Sequence, residues 1–367
     1  MVVNTLDKDN HVIIIGGGIF GLSTAVILGE HGFMVTVLEK ENDLMTKASL
    51  VNQNRIHMGY HYPRSLSTGK ESLIGIQNFK KYYPDTINEK FTKYYAIAKH
   101  NSKVSADEFY RFCMELELPL EEKYPDGELL DRSEIEACWL TPEPVFDYYR
   151  LKNSVTQRII KNPNINVIRN AEVIKINIDQ GTKHISISDG STLHSNYLIN
   201  ATYSKLPEIA NAVSKKQIEA KYELCIMPIM ELNDSNQNQF GITIMDGPYC
   251  SLMPKGFNKR EYIVYHVNDS VLQTQIGTKF DSWKPINNFP ELVCLKNSAK
   301  FFPIIKNMSY LDTWITTRII LPNKEENDAR PTLLIDHNNN IFSIFSGKLT
   351  TAIDIGFEVL DKINNPN

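Results

Sequence analysis

The chain has 367 residues, 42% hydrophobic and 22% charged, a composition of ordinary globular proteins with length enough for two domains. A net charge of −4 argues against a nucleic-acid binder, and no apolar run reaches the roughly 20 residues of a membrane helix. The polar start MVVNTLDKDNH does not read as a secretory leader, and the 5 scattered cysteines contain no C-x-x-C, so free thiols, no metal site and a cytoplasmic location are expected.

In chain order, Val12–Ile15 is an apolar run suited to a buried parallel strand. Gly16, Gly18 and Gly21 follow as G-x-G-x-x-G where that strand hands over to a helix, Ile19–Glu30, which stops at His31-Gly32. Val35–Leu38 is the next strand, and Glu39 and Lys40 end it. This βαβ unit predicts a dinucleotide whose diphosphate meets the helix N-terminus and whose ribose hydroxyl meets Glu39. Residues 61–155 read as mainly helical, with apolar helical spacing in Ser72–Tyr83 and Ala106–Leu118. Ile165–Ile168, Ala171–Ile178, His184–Ser188 and Tyr197–Ala201 read as strands, with a turn at Asp189-Gly190. Leu224–Glu231, Gly241–Met245 and Glu261–Val267 predict an antiparallel sheet facing a ligand on one side. Asp246-Gly247 reads as a hairpin turn and Tyr249 as a pocket wall. Strands at Thr332–Ile335 and Ile341–Phe345 then lead through Ser346-Gly-Lys-Leu-Thr-Thr351 into an amphipathic helix to about Ile363. A glycine-to-helix turn therefore occurs near each end of the chain. At the second, Gly347, Lys348 and the hydroxyls of Thr350 and Thr351 supply donors beside a helix N-terminus.

The combination resembles the D-amino-acid oxidase superfamily of FAD-dependent oxidoreductases. Gly347-Lys348-Leu349-Thr350-Thr351 is similar to a segment that flavin-linked glycerol-3-phosphate dehydrogenases place at the flavin pyrimidine ring. Asn54-Arg-Ile-His57-Met-Gly59 resembles the His-x-Gly segment that those enzymes and L-2-hydroxyglutarate oxidase hold beside the isoalloxazine. Ala201-Thr202 is similar to a strand end near the cofactor, with Tyr203 where a glycine is usual. Ala171-Glu172-Val173 is similar to the segment whose backbone reads the adenine. The resemblance implies an α/β fold: a Rossmann-like FAD-binding domain (1–60, 150–205 and 330–367) with an inserted α+β substrate domain built on an antiparallel sheet (61–149 and 206–329). It also implies FAD as cofactor, noncovalently bound because the spacing from His57 to Gly59 differs from that of histidine-linked relatives.

Oxidation next to oxygen or nitrogen needs a two-electron acceptor, a proton acceptor and an anchor for the substrate. Histidine suits the proton acceptor, and the candidates are His57, His61 and His266. Arginine suits the anchor of a carboxylate or phosphate: Arg318 first, then Arg64 and Arg330. The expected reaction is oxidation of a CH–OH bond of a small, polar, anionic metabolite, by hydride transfer to flavin N5. A CH–NH oxidase, an NAD-dependent dehydrogenase and a dinucleotide-binding protein without turnover are the alternatives. Oxygen, a quinone or a carrier protein are all open as electron acceptor.

Overall fold

The computed structural model describes residues 10–234, 237–286, 288–322 and 331–365. A six-stranded sheet runs in the order Leu333–Asp336, Ile341–Phe345, Tyr197–Asn200, His11–Ile15, Met34–Leu38, Ile165–Ile168. All neighbours are parallel except the edge strand Leu333–Asp336, which runs antiparallel to Ile341–Phe345. Parallel strands are covered on both faces, which is why Val12, Ile13 and Ile14 are all fully buried. Helix Ile19–Glu30 is buried from Ile19 to Gly29 apart from Phe20, as expected of a helix that is apolar on every side. It lies between the sheet and the final helix Ala352–Asn364, whose Gly356 permits close approach: a Cβ there would stand 2.5 Å from Ile27. A three-stranded antiparallel meander, Val173–Asp179, Thr182–Ile187 and Thr192–Ser195, packs on the other face through Ile185 and Ile187.

The second sheet has nine strands. Its longest, Ala220–Leu232 and Met308–Ile320, pair antiparallel along their whole length. Two features differ from the sequence reading. The region 61–155 is not mainly helical, because Thr92–Ala98 and Ile135–Thr141 are strands of this sheet. And the sheet is mixed, because Phe240–Met245 lies parallel to Thr92–Ala98. The physical reason is period-two alternation in TKYYAIA. Tyr94, Ala96 and Ala98 enter one core, and Tyr95 and Ile97 enter another with Phe109 and Trp139.

Helix Leu66–Tyr82, assigned by sequence to the inserted segment 61–149, adds Ile76 and Phe79 to the parallel sheet's core, while Leu66 and Leu73 pack on the core of Tyr95 and Phe109. It also lies against the last helix, where a Cβ on Gly75 would stand 3.2 Å from Asp354. The 5 cysteines are all buried, and among the described residues none forms a disulfide. Among the described residues no helix is long and apolar enough to cross a membrane.

Burial lowers the pKa of His337, whose Nε2 is hydrogen-bonded with Ser343 Oγ at 2.8 Å inside the parallel sheet. His11 and His266 are lowered by burial too. A depressed folded-state pKa gives stability that is present above the unfolded value of about 6.5 and is lost as pH falls through the folded value. The melting temperature is therefore expected to fall between pH 7.5 and pH 5, and to fall less steeply in His337→Gln. Thermal scans at stepped pH check this; equal slopes in the two proteins would remove His337 as a contributor.

Candidate active site

The first glycine turn lies where Gly16 leaves strand His11–Ile15. Gly16 has φ +108°, and a Cβ on it would stand 2.6 Å from the carbonyl oxygen of Ala201 at the end of the neighbouring strand. Gly21 brings the helix onto the turn: its Cβ would fall 2.0 Å from the Gly16 carbonyl. The helix start has no side-chain cap from Gly18 and no acidic residue in its first turn, so its positive end is left to an anion. Ser49 Oγ accepts from Ile19 N at 3.0 Å beside it. Glu39 ends the second strand, accepting from Gly17 N at 2.7 Å and Glu41 N at 2.9 Å. Ala171 N bonds Glu39 O at 2.9 Å, which brings the Ala171–Val173 segment alongside. Lys40 points outward and pairs with Glu41 at 3.7 Å.

The second turn follows strand Ile341–Phe345, two strands from the first and so about 10 Å away across the sheet. A Cβ on Gly347 would meet nothing within 4 Å. Thr350 Oγ1 is buried and has no partner. Leu349 is half-buried in the single turn before the final helix. Lys348, with a side chain 0% exposed, reaches Glu71 Oε2 at 2.6 Å. Thr202 caps the intervening strand through Asn200, and Tyr203 follows at φ +52°, so a tyrosine here holds the left-handed backbone usual for glycine. An open helix terminus, a glycine-lined opening and an orphaned hydroxyl at the strand ends fit a dinucleotide carrying a flavin. Gly16–Gly21 would hold its diphosphate, Glu39 its ribose, and Gly347–Thr350 its ring.

A cavity of about 660 Å³ opens between the sheets, with Gly347, Phe345 and Tyr203 on one side and Thr243, Ser251 and Tyr265 on the other. Tyr249 is in its wall, edge-on to Phe301 at 5.6 Å. His61 lines the cavity and stacks on His57 with ring centres 5.3 Å apart. Arg64 lines it as well and is ion-paired with Asp246, whose role is thus more than that of a hairpin turn. Arg318 lines the cavity, but its Nε and Nη2 lie 2.8 and 2.5 Å from Glu223 Oε2. The carboxylate takes that edge of the guanidinium, while the side chain keeps the cavity-lining position expected of an anchor.

The position of His266 corrects its expectation as a proton acceptor facing the ligand. Strand alternation turns Tyr265 to the cavity and His266 away from it, toward Asp269 Oδ2 at 3.1 Å. Arg330 lies outside the described residues.

Beneath the cavity wall lies a polar cluster that the sequence reading missed. Lys93 and Glu143 are both 1% exposed. Lys93 Nζ bonds Thr243 Oγ1 and Met253 Sδ, and sits 4.4 Å above the Tyr95 ring. Glu143 accepts from Tyr95 OH at 2.5 Å and Met58 N at 3.0 Å. Burial drives Lys93 well below its ordinary pKa, reinforced by the Arg55 charge, and raises Glu143 against the pull of Lys93. Arg55, 7% exposed, reaches His61 Nδ1 through Nη1 at 3.2 Å and lines the cavity. The alternation Lys93-x-Tyr95-x-Ile97 is the signal that could have found the strand. Arg55 stood in plain view between Asn54 and His57.

The family described as DAO, FAD dependent oxidoreductase, matches residues 11–307. FAD-dependent monooxygenase kojA of Aspergillus flavus is 25% identical over 378 residues, covering 96% of this chain and 85% of the relative. The chain also superposes on glycine oxidase from Geobacillus kaustophilus (TM-score 0.76, 15% identity, 97% of this chain and 95% of that one). A similar likeness is to FAD-bound L-alpha-glycerophosphate oxidase from Mycoplasma pneumoniae (TM-score 0.73, 17% identity, 97% and 96% covered).

Proposed function

The chain belongs to the family of FAD-dependent oxidoreductases, and from that premise we propose that it oxidises a CH–OH bond of a small metabolite carrying a carboxylate or phosphate. FAD, when bound, supplies the two-electron acceptor. The observation that carries the substrate class is the sign of the cavity. Among the described residues, Arg55, Arg64, Lys103, Lys221 and Arg318 line it, with Glu223 and Asp246 as the carboxylates, in a protein whose net charge is −4. Such a cavity concentrates anions. It also favours the alkoxide over the neutral alcohol, which makes the adjacent C–H bond the stronger electron donor. The ammonium group of an amino acid is disfavoured in the same place, which weighs against the CH–NH alternative.

A guanidinium has no acceptor, so His61 Nδ1 is the acceptor in its contact with Arg55 and the ring proton sits on Nε2. In the neutral ring His61 Nδ1 is thus taken by Arg55 and is not the base.

The test is an anaerobic screen of hydroxy acids, glycerol phosphates, amino acids and uncharged polyols, watched at the oxidised-flavin band near 450 nm. Bleaching by anionic alcohols and not by amino acids is expected; the reverse order overturns the reading. The product mass of an aerobic run separates dehydrogenation, a loss of two hydrogens, from the oxygen gain of a monooxygenase, the activity in kojA's name. Acid precipitation of the same preparation is expected to release the yellow colour into the supernatant, as noncovalent binding requires; colour retained in the pellet would place a covalent link on the chain.

A further inference from the structure

We propose that Arg55 is the residue that grips the anionic group of the substrate, taking paired anionic oxygens such as those of a carboxylate or phosphate ester. The proposal rests on the oxidoreductase reading above and names the part of the site that selects the substrate.

Arg55 is more than nine-tenths buried and lines the cavity. Its Nη1 is used by His61, while Nε is buried without a partner. A buried guanidinium left with unused donors is costly unless something supplies acceptors. The carboxyl beneath it does not supply them: Glu143 accepts from Tyr95 OH and Met58 N, and gives the Arg55 guanidinium no hydrogen bond. The other arginines of the cavity differ: Arg64 is paired with Asp246 and Arg318 with Glu223. Arg55 thus combines a cavity-lining position, a buried donor without a partner and a planar set of N–H groups suited to two oxygens of one anion.

The experiment uses the FAD-loaded protein and titrates glycolate and methyl phosphate against the flavin absorption, with ethylene glycol as the uncharged control. Wild type is expected to give a saturable spectral change with at least one of the two anions and none with ethylene glycol. The response to glycolate against that to methyl phosphate tells which anion the site fits. Arg55→Gln is expected to weaken the response about ten- to a hundred-fold, the range of a charge-assisted paired hydrogen bond, with FAD content unchanged. Arg55→Lys, which keeps the charge but not the planar geometry, is expected between the two. Anion affinity in Arg55→Gln within two-fold of wild type overturns the proposal, as does loss of FAD in both variants, since Arg55 would then serve the cofactor. The oxidation reading fails separately, if no hydroxy compound bleaches the flavin while the anion response and its dependence on Arg55 persist.

Discussion

Gly16→Ala is expected to yield a chain recovered without bound flavin. Two independent penalties meet at this residue. The backbone sits at φ +108°, outside the region open to an alanine, and the new methyl would stand 2.6 Å from the Ala201 carbonyl oxygen. The first costs about 1–2 kcal/mol. The second requires two backbone segments of a parallel sheet to separate, because the clashing atom is not the end of a pliable side chain. That separation moves the turn that aims the helix start at the diphosphate, so cofactor affinity falls with stability. Flavin absorbance after gel filtration and the melting temperature check both effects. A yellow Gly16→Ala protein melting within a degree or two of wild type would show that this turn does not hold the cofactor.

Glu143→Leu is expected to lower the unfolding free energy by about 3–5 kcal/mol, the cost of removing one partner from a buried charge cluster. The carboxyl is 1% exposed and accepts from Tyr95 OH and Met58 N. Its loss orphans both donors and leaves Lys93 and Arg55 facing each other across low-dielectric protein. The companion change Lys93→Met removes the buried amine and is expected to restore part of the loss, giving a coupling of about 1–3 kcal/mol in a double-mutant cycle. Urea unfolding of the four proteins measures it. Additive single effects would show that the two side chains are energetically separate, and a Glu143→Leu protein within 1 kcal/mol of wild type would show that Arg55 and Lys93 need no counter-charge.

The parallel sheet was legible because its signals are local. The run Val12–Ile15, the glycine spacing and the acid at position 39 lie within one βαβ unit. Strand Ile341–Phe345 has the boundaries its apolar run suggests. The large sheet was legible only in part. Leu224–Glu231 lies inside the longer strand Ala220–Leu232, and Glu261–Val267 overlaps Glu261–His266. Thr92–Ala98 was absorbed into a helical region, since two tyrosines and a lysine between helices carry no turn signal of their own.

The site shows the same division. Which strand end carries a glycine can be read from spacing; which carboxylate neutralises which arginine cannot. Arg318 and Glu223 are 95 residues apart, and Arg64 and Asp246 are 182 apart. The first pairing is decided by the register of strand Met308–Ile320 against Ala220–Leu232, where Glu223 sits opposite Arg318. The same limit hid Arg55, whose buried Nε is left without a partner by neighbours far along the chain.

The interleaving of the parallel sheet has a consequence for how the protein is made. Tyr197–Asn200 pairs with His11–Ile15 on one side and with Ile341–Phe345 on the other. Until the closing portion of the chain has emerged from the ribosome, that strand presents an open row of backbone groups in a half-built sheet. A nascent chain in that state is exposed to strand-to-strand association with its neighbours on a polysome. Sheltering by a chaperone is most needed over the interval in which roughly the second half of the molecule is being synthesised, and only afterwards can a cofactor be taken up.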